Sequence, residues 1–353
     1  MLRLEKISKT IGNFSLSNID FEVNKGDYFI LIGESGAGKS MLLEIITGLI
    51  SPDSGKILFD EKNLLDFPVQ KRNIGMVYQK PSLFPHMTVF ENIAYPLKIR
   101  KFNKTEIAVK VKQLADETEI SHLLKRNVTN LSGGEAQRVT IARTLATNPT
   151  VLLLDEPLSY LDAQLKKGMM ALLRKLNQSG QTIIHVTHDY EEAIALANNV
   201  AIIENGTIVQ TGCPQDVFHR PKSEFVANFI GIKNFYKGRL SLSEHNSKLK
   251  IFETAGIKMF ALSDDEPDSD GYIIIPSEAI TISEEQLVSS AVNNFEGSIT
   301  DIYQSKLGLE IVIDIGIEIS SRISYLSLNR LQLSVGKTVW ISFKASSLHF
   351  IRN

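Results

Sequence analysis

The segment "GESGAGKS", Gly33 to Ser40, carries the clearest chemistry in the chain. Its spacing is G-x-x-x-x-G-K-[ST]. It lies between an apolar run, "DYFILI", and an amphipathic one, "MLLEIITGL". A strand, a glycine-rich turn and a helix in that order make an anion cradle. Glycines at 33, 36 and 38 let backbone N–H groups turn inward toward phosphate oxygens. The helix that follows presents its positive end. Lys39 supplies a mobile charge for the outer phosphates, and Ser40 a hydroxyl for Mg²⁺. The expected phosphate-binding residues are Gly33, Glu34, Ser35, Gly36, Ala37, Gly38, Lys39, Ser40 and Met41.

A second group of reactive residues closes the apolar run "VLLLDEP". Two adjacent acids raise each other's pKa, and a nearby cation relieves that. Asp155 is expected to hold Mg²⁺ through water, and Glu156 to orient or deprotonate an attacking water. His188 ends the run "TIIHVTH" and is placed to reach the γ-phosphate. His185 points to the other strand face by alternation and reads as structural.

The elements that carry these residues are legible as well. Short apolar runs alternate with helical stretches up to about residue 205, which predicts an α/β unit with a mostly parallel sheet. Beyond "ANFIGIKNFYKGRL" the pattern becomes short strands with turn signals, so a mostly β tail is expected. The predicted boundary is near Gly231: residues 1–231, with a helical part at about 80–150, then 232–353. "NNFEGSITDIY" echoes "KNFYKGRLSL", which suggests two similar halves in the tail. The acidic run "SDDEPDSDG" reads as a solvated loop between them. The basic stretch "LKIRKFNKTEIAVKVKQ" reads as a wet helix face.

The chain has 353 residues, 43% of them apolar and 22% charged, which allows two globular domains. A net charge of −2 gives no electrostatic case for a nucleic-acid partner. Cys213, the only cysteine, cannot form an internal disulfide. No apolar run reaches the ~18–20 residues of a membrane helix. The N-terminus lacks the apolar core of a signal peptide. Work at a membrane therefore requires a partner.

"LSGGEAQRVTIARTL", Leu131 to Leu145, resembles the signature motif of ABC-type ATPases. The phosphate loop and "LLLDEP" are spaced as in that family, and the resemblance covers residues 1 to about 231. It implies an ATP-hydrolysing P-loop domain with ATP and Mg²⁺ as cofactors. Gln79, in "MVYQKPSLFP", matches the glutamine that senses Mg²⁺ and the transport partner. Ser132, Gly133 and Gly134 match signature residues that contact the γ-phosphate bound to the opposite subunit. Asp162 matches the loop that crosses the dimer interface. Two phosphate-binding turns with one lysine and one acid pair agree with a two-fold dimer in which each ATP is clamped between copies. The implied partners are a second copy of the chain, integral membrane permease subunits and, indirectly, an extracytoplasmic binding protein. The implied location is the cytoplasmic face of the membrane.

The chain departs from the family pattern in places. Ile11 stands where an adenine-stacking aromatic is usual, with Phe14 three residues on. Tyr160 stands where a small residue is common. Phe84 and Phe90 in "PSLFPHMTVFENIAYPL" are candidates for a docking face of the importer type or for core packing.

The tail resembles the OB-like accessory barrels of importer ATPases, and its last part the version in molybdate and tungstate importers. Ser290, Asn293, Lys344, Ser346 and Ser347 match that pattern's anion donors, with Val292 at the arginine position. That implies an oxyanion site able to inhibit transport. Ser/Lys donors without the guanidinium also fit a plain barrel edge. Alternatives are an importer ATPase for sulfate, iron, polyamine or sugar, a soluble ABC ATPase acting on DNA or ribosomes, and a P-loop kinase. One phosphate loop, one signature and no sustained heptads stand against the last two.

Overall fold

The computed structural model describes residues 1–243, 246–305 and 308–352. The chain divides into two units, Met1–His219 and Arg220–Asn353.

In the first unit, β1 (Leu2–Ile11) and β2 (Phe14–Val23) pair antiparallel. With β4 (Ser54–Phe59) and β5 (Lys62–Asn63) they form a sheet of order β2-β1-β4-β5. The larger sheet contains β3 (Tyr28–Ile32), β6 (Ile74–Val77), β7 (Val151–Asp155), β8 (Thr182–Thr187), β9 (Asn199–Glu204) and β10 (Thr207–Gly212). Its order is β10-β9-β3-β8-β7-β6, parallel except at β9–β10. Every residue of β3, β7 and β8 is buried, which is why these strands read as unbroken apolar runs.

Helices α1 (Lys39–Thr47), α5 (Ala163–Gln178), α6 (Tyr190–Leu196) and α7 (Pro214–His219) belong to this unit. So do α2 (Val89–Ile99), α3 (Lys104–Glu117) and α4 (Gly133–Leu145), which share a core built on Val89, Ile93, Leu97, Val111, Val139 and Ala142. Each of the three starts with a capping box, on Thr88, Asn103 and Ser132. In α3 only Ile107, Val111 and Ala115 are buried, so most of the basic stretch faces water.

The second unit starts earlier than the boundary expected at Gly231. Helix α8 (Glu224–Phe229) joins it: Ala227 packs with Phe235 and Ile274, and its carbonyl accepts from Ile232 N at 2.9 Å. Two five-stranded sheets follow. One contains β11 (Phe235–Ser243), β12 (Asn246–Thr254), β13 (Ile257–Leu262), β14 (Ser269–Ile274) and β20 (His349–Arg352). The other contains β15 (Thr281–Ser283), β16 (Asn293–Ser305), β17 (Gly308–Asp314), β18 (Glu318–Ile323) and β19 (Thr338–Phe343). Helix α9 (Tyr325–Arg330) connects β18 to β19.

Their orders, β13-β12-β11-β14-β20 and β18-β17-β16-β19-β15, are the same architecture twice. The last strand of each half is exchanged: β15 follows β14 but pairs with β19, while β20 follows β19 but pairs with β14. The sequence echo is therefore structural, and the alignment that fits sets Gly238 on Gly297 and Asn234 on Asn293. A Cβ on Gly238 would meet Glu253 O at 2.2 Å, and one on Gly297 would meet Asp314 O at 2.6 Å. Both asparagines clamp a strand of the opposite sheet. Asn234 takes Ser320 N and gives to Ser320 O, each at 2.7 Å. Asn293 takes Phe260 N at 2.7 Å and gives to Phe260 O at 2.9 Å.

Candidate functional site

The buried strand β3 delivers the phosphate loop and α1 continues from it. Gly38, the residue before α1, has φ 99°, and a Cβ there would meet Leu16 Cδ2 at 2.6 Å and the Phe14 ring at 2.8 Å. Only glycine fits both the backbone and the space. The same contact puts the Phe14 ring against the loop, whereas Ile11 is 46% exposed at the end of β1. Glu34, Ser35 and Gly36 are exposed, Ala37 is buried, and Met41 packs on the core.

Lys39 is buried and folded back on its own loop. Its Nζ donates to Gly33 O and Glu34 O, both at 2.8 Å. Burial lowers its pKa, while Glu156, Asp155 and Glu34 pull it back up. The ammonium thus occupies the cradle beside the carboxylates, held among the described residues by carbonyls that phosphate oxygens can replace.

Sheet register brings the catalytic candidates together. Asp155 ends β7, and Ser40 Oγ donates to its Oδ1 at 3.0 Å. Burial raises the Asp155 pKa, and the Ser40 hydrogen bond opposes that rise. Glu156 follows, with φ 44°. A positive φ on a non-glycine residue is a costly conformation found at functional turns. It is fixed by Glu156 N donating to Val186 O at 2.9 Å, and by Ser159 Oγ donating to Glu156 O at 3.0 Å. The carboxylate is then held from two sides. Gln79 Nε2 donates to Oε2 at 3.0 Å, and His188 Nδ1 lies 3.2 Å from Oε1. Gln79 also donates to Ser159 Oγ at 3.2 Å, a partner that the sequence reading missed.

Ser132 starts α4 by accepting from Glu135 N at 3.3 Å, so Gly133 and Gly134 form the first helical turn. Gly133 is exposed with open space around it, as an anion-facing turn needs. Among the described residues no hydrogen bond joins Ser132, Gly133 or Gly134 to the phosphate loop of the same chain. Asp162 is exposed and caps α5, accepting from Gln164 N and Leu165 N at 3.0 and 2.9 Å. Nearby Tyr160 is 70% exposed.

His185 lies on the buried face, its Nδ1 3.0 Å from Tyr28 Oη. Lys166 Nζ ties Asp189, the neighbour of His188, to Glu192 at 2.5 and 2.6 Å. No local pattern signals this bridge, because its members lie on α5, the β8–α6 turn and α6.

Phe84 lies 4.6 Å from the Tyr95 ring and 5.0 Å from the Arg143 guanidinium, and lines a shallow groove with Ile74, Met76 and Pro96. Phe90 instead packs on the helical core. In the tail, Asn293 pairs with Phe343 across β16–β19, which brings "SAVN" and "FKASS" side by side. Ser290, Val292, Lys344 and Ser346 are exposed, and Ser347 is half-buried. Asn293 is buried and its amide is occupied by Phe260.

Comparison with known proteins follows the same division. The family described as ABC transporter matches residues 16–159, and the TOBE domain matches residues 289–350. The molybdate/tungstate import ATP-binding protein WtpC of Pyrococcus horikoshii is 40% identical over 354 aligned residues, 99% of each chain. The spermidine/putrescine import ATP-binding protein PotA of Thermotoga maritima is 39% identical, over 84% of this chain and 82% of its own. An ATP-binding cassette solved as a dimer in a post-hydrolysis state, with ADP and Pi bound, has 30% identity and a TM-score of 0.55. That match covers 61% of this chain and 99% of the other.

Proposed function

We propose that this chain, which belongs to the ATP-binding proteins of ABC transporters, hydrolyses ATP to power uptake of molybdate or tungstate. The observation that carries the substrate is full-length similarity, tail included, to ATPases of molybdate/tungstate import. The polyamine relative aligns over less of the chain and supports the second reading.

The residues divide the reaction among themselves. Backbone N–H groups of Gly33–Ser40 and the start of α1 take the phosphates, and Lys39 moves from the carbonyls of Gly33 and Glu34 to the outer phosphate oxygens. The hard oxygens Ser40 Oγ and Asp155 Oδ1, 3.0 Å apart, suit Mg²⁺, with Gln79 as a further donor. Bound there, Mg²⁺ supplies charge neutralisation at the outer phosphates. Release of the Gln79 hydrogen bond would leave Glu156 Oε2 free to accept the proton of the attacking water. His188 keeps Glu156 oriented and reaches toward the γ-phosphate.

The second phosphate-facing turn, Ser132–Gly134, closes the site of another copy, with Asp162 at the join. The dimeric ADP-bound neighbour supports that arrangement. No helix among the described residues is long and apolar enough to cross a membrane. In this reading, as the import systems named in the relatives imply, permease subunits carry the substrate, fed by an extracytoplasmic binding protein, and the groove beside Phe84 is the docking face at the cytoplasmic side. The exposed Ser290, Lys344 and Ser346, with the half-buried Ser347, form the oxyanion-sensing edge of the tail.

Proteoliposomes carrying this ATPase with its permease and binding protein test the reading. ATP-dependent accumulation of molybdate or tungstate is the expected result. Accumulation of spermidine or putrescine with neither oxyanion would establish the alternative.

A further inference from the structure

Gln137 lies on α4, within its second turn. Its side chain is 3% exposed, yet neither Oε1 nor Nε2 meets a protein partner among the described residues. Buried amides are almost always hydrogen-bonded, and an unmet one is destabilising. Neighbours on the same helix meet this demand: Thr140 Oγ1 donates to Ala136 O at 2.9 Å, and Arg138 to Thr118 O at 3.0 Å.

Gln137 borders a small cavity shared with Gln79, Gly133, Glu156, Ser159 and Leu161. Its volume is about 50 Å³, enough for an ordered water; Pro81, Pro157 and Leu161 make much of its wall apolar, and Gln79, Gln137, Glu156 and Ser159 are the side chains on it that can hold a water by hydrogen bonds. Two of those walls already touch each other through Gln79, which donates to Glu156 at 3.0 Å and to Ser159 at 3.2 Å. Gln137 is the buried amide on the signature side of that space with hydrogen-bonding capacity to give.

We propose that Gln137 is a positioning residue for Glu156. Its amide, through a water seated in the cavity, holds the Glu156–Ser159 turn and Gln79 against the helix that starts at Ser132. The positive φ of Glu156 needs outside support, and this bridge supplies part of it. A shift of the signature helix against the second copy's phosphate then reaches the base of its own chain's site. The inference rests on the reading of Glu156 as that base.

The test is Gln137→Met, of similar volume but with no donor and only a weak sulfur acceptor, with Gln137→Leu as a second variant that has neither, and Glu156→Gln alongside. Thermal unfolding shows which variants fold. For a folded Gln137 variant the expected kcat of ATP hydrolysis falls between roughly tenfold and a hundredfold. The KM for ATP stays within about twofold, because the phosphate cradle is untouched. Wild-type kcat in a folded variant, or a change in KM alone, overturns the inference while leaving Glu156 as base if Glu156→Gln is inactive. An active Glu156→Gln enzyme overturns both.

Discussion

Glu156 concentrates the chemistry of a single residue: a carboxylate in a left-handed backbone conformation, held by Gln79 and His188. The motif "LLLDEP" named the acid, but not the backbone twist that aims it, because φ is set by partners such as Val186 and Ser159 elsewhere in the chain. His185 gives a pH prediction at the same scale. Burial, helped by Lys166, pushes its imidazole from 6.5 down to about 3. Between those values the unfolded chain takes a proton that the folded chain refuses. The resulting stability is fully present above pH 6.5 and is lost on acidification, by about 1.4 kcal/mol per pH unit. Burial also raises the carboxyl of nearby Glu192, against the pull of Lys166, which offsets part of the loss. His185→Gln keeps a partner for Tyr28 and does not titrate. Its melting temperature should therefore fall less than that of the wild type between about pH 7 and 5. An equal fall would exclude His185 as the source.

At the scale of elements, strand ends and helix starts carry the site, and Lys166 joins two of them. It lies on α5, one turn after Asp162, and bridges Asp189 and Glu192, whose side chain is 4% exposed. Removing it leaves a buried carboxylate without its cation, which costs roughly 3 kcal/mol. Lys166→Met should lower the urea midpoint of the first unit, and Lys166→Arg should restore most of it. No change in Lys166→Met would mean that the bridge adds no net stability. Periodicity could locate α5, β8 and α6 one by one, since each is apolar on its core side. It could not reveal an ion pair whose members come from three segments.

Across the whole molecule, two motifs on one chain and a doubled tail set the architecture. The echo of "KNFYKG" in "NNFEGS" was legible, but the exchange of β15 and β20 between halves was not, because strand pairing across sheets leaves no local pattern. It gives Asn293 a structural role equivalent to that of Asn234. Asn293→Ala should destabilise the tail by about 1–3 kcal/mol, since Phe260 loses both partners inside the protein. Lys344→Ala should leave the tail's stability unchanged and weaken molybdate binding to the full chain in calorimetry. Unaltered affinity would remove Lys344 from the oxyanion edge.

The central claim is that ATP is hydrolysed by Glu156 in a site completed by Ser132 of a second copy. Its most direct test is the mass and bound nucleotide of Glu156→Gln with Mg²⁺ and ATP. The account predicts a stable dimer that retains two ATP molecules, one per phosphate loop, and that adding Ser132→Arg dissolves. A monomer holding one ATP, or turnover of the nucleotide at the wild-type rate, would contradict it.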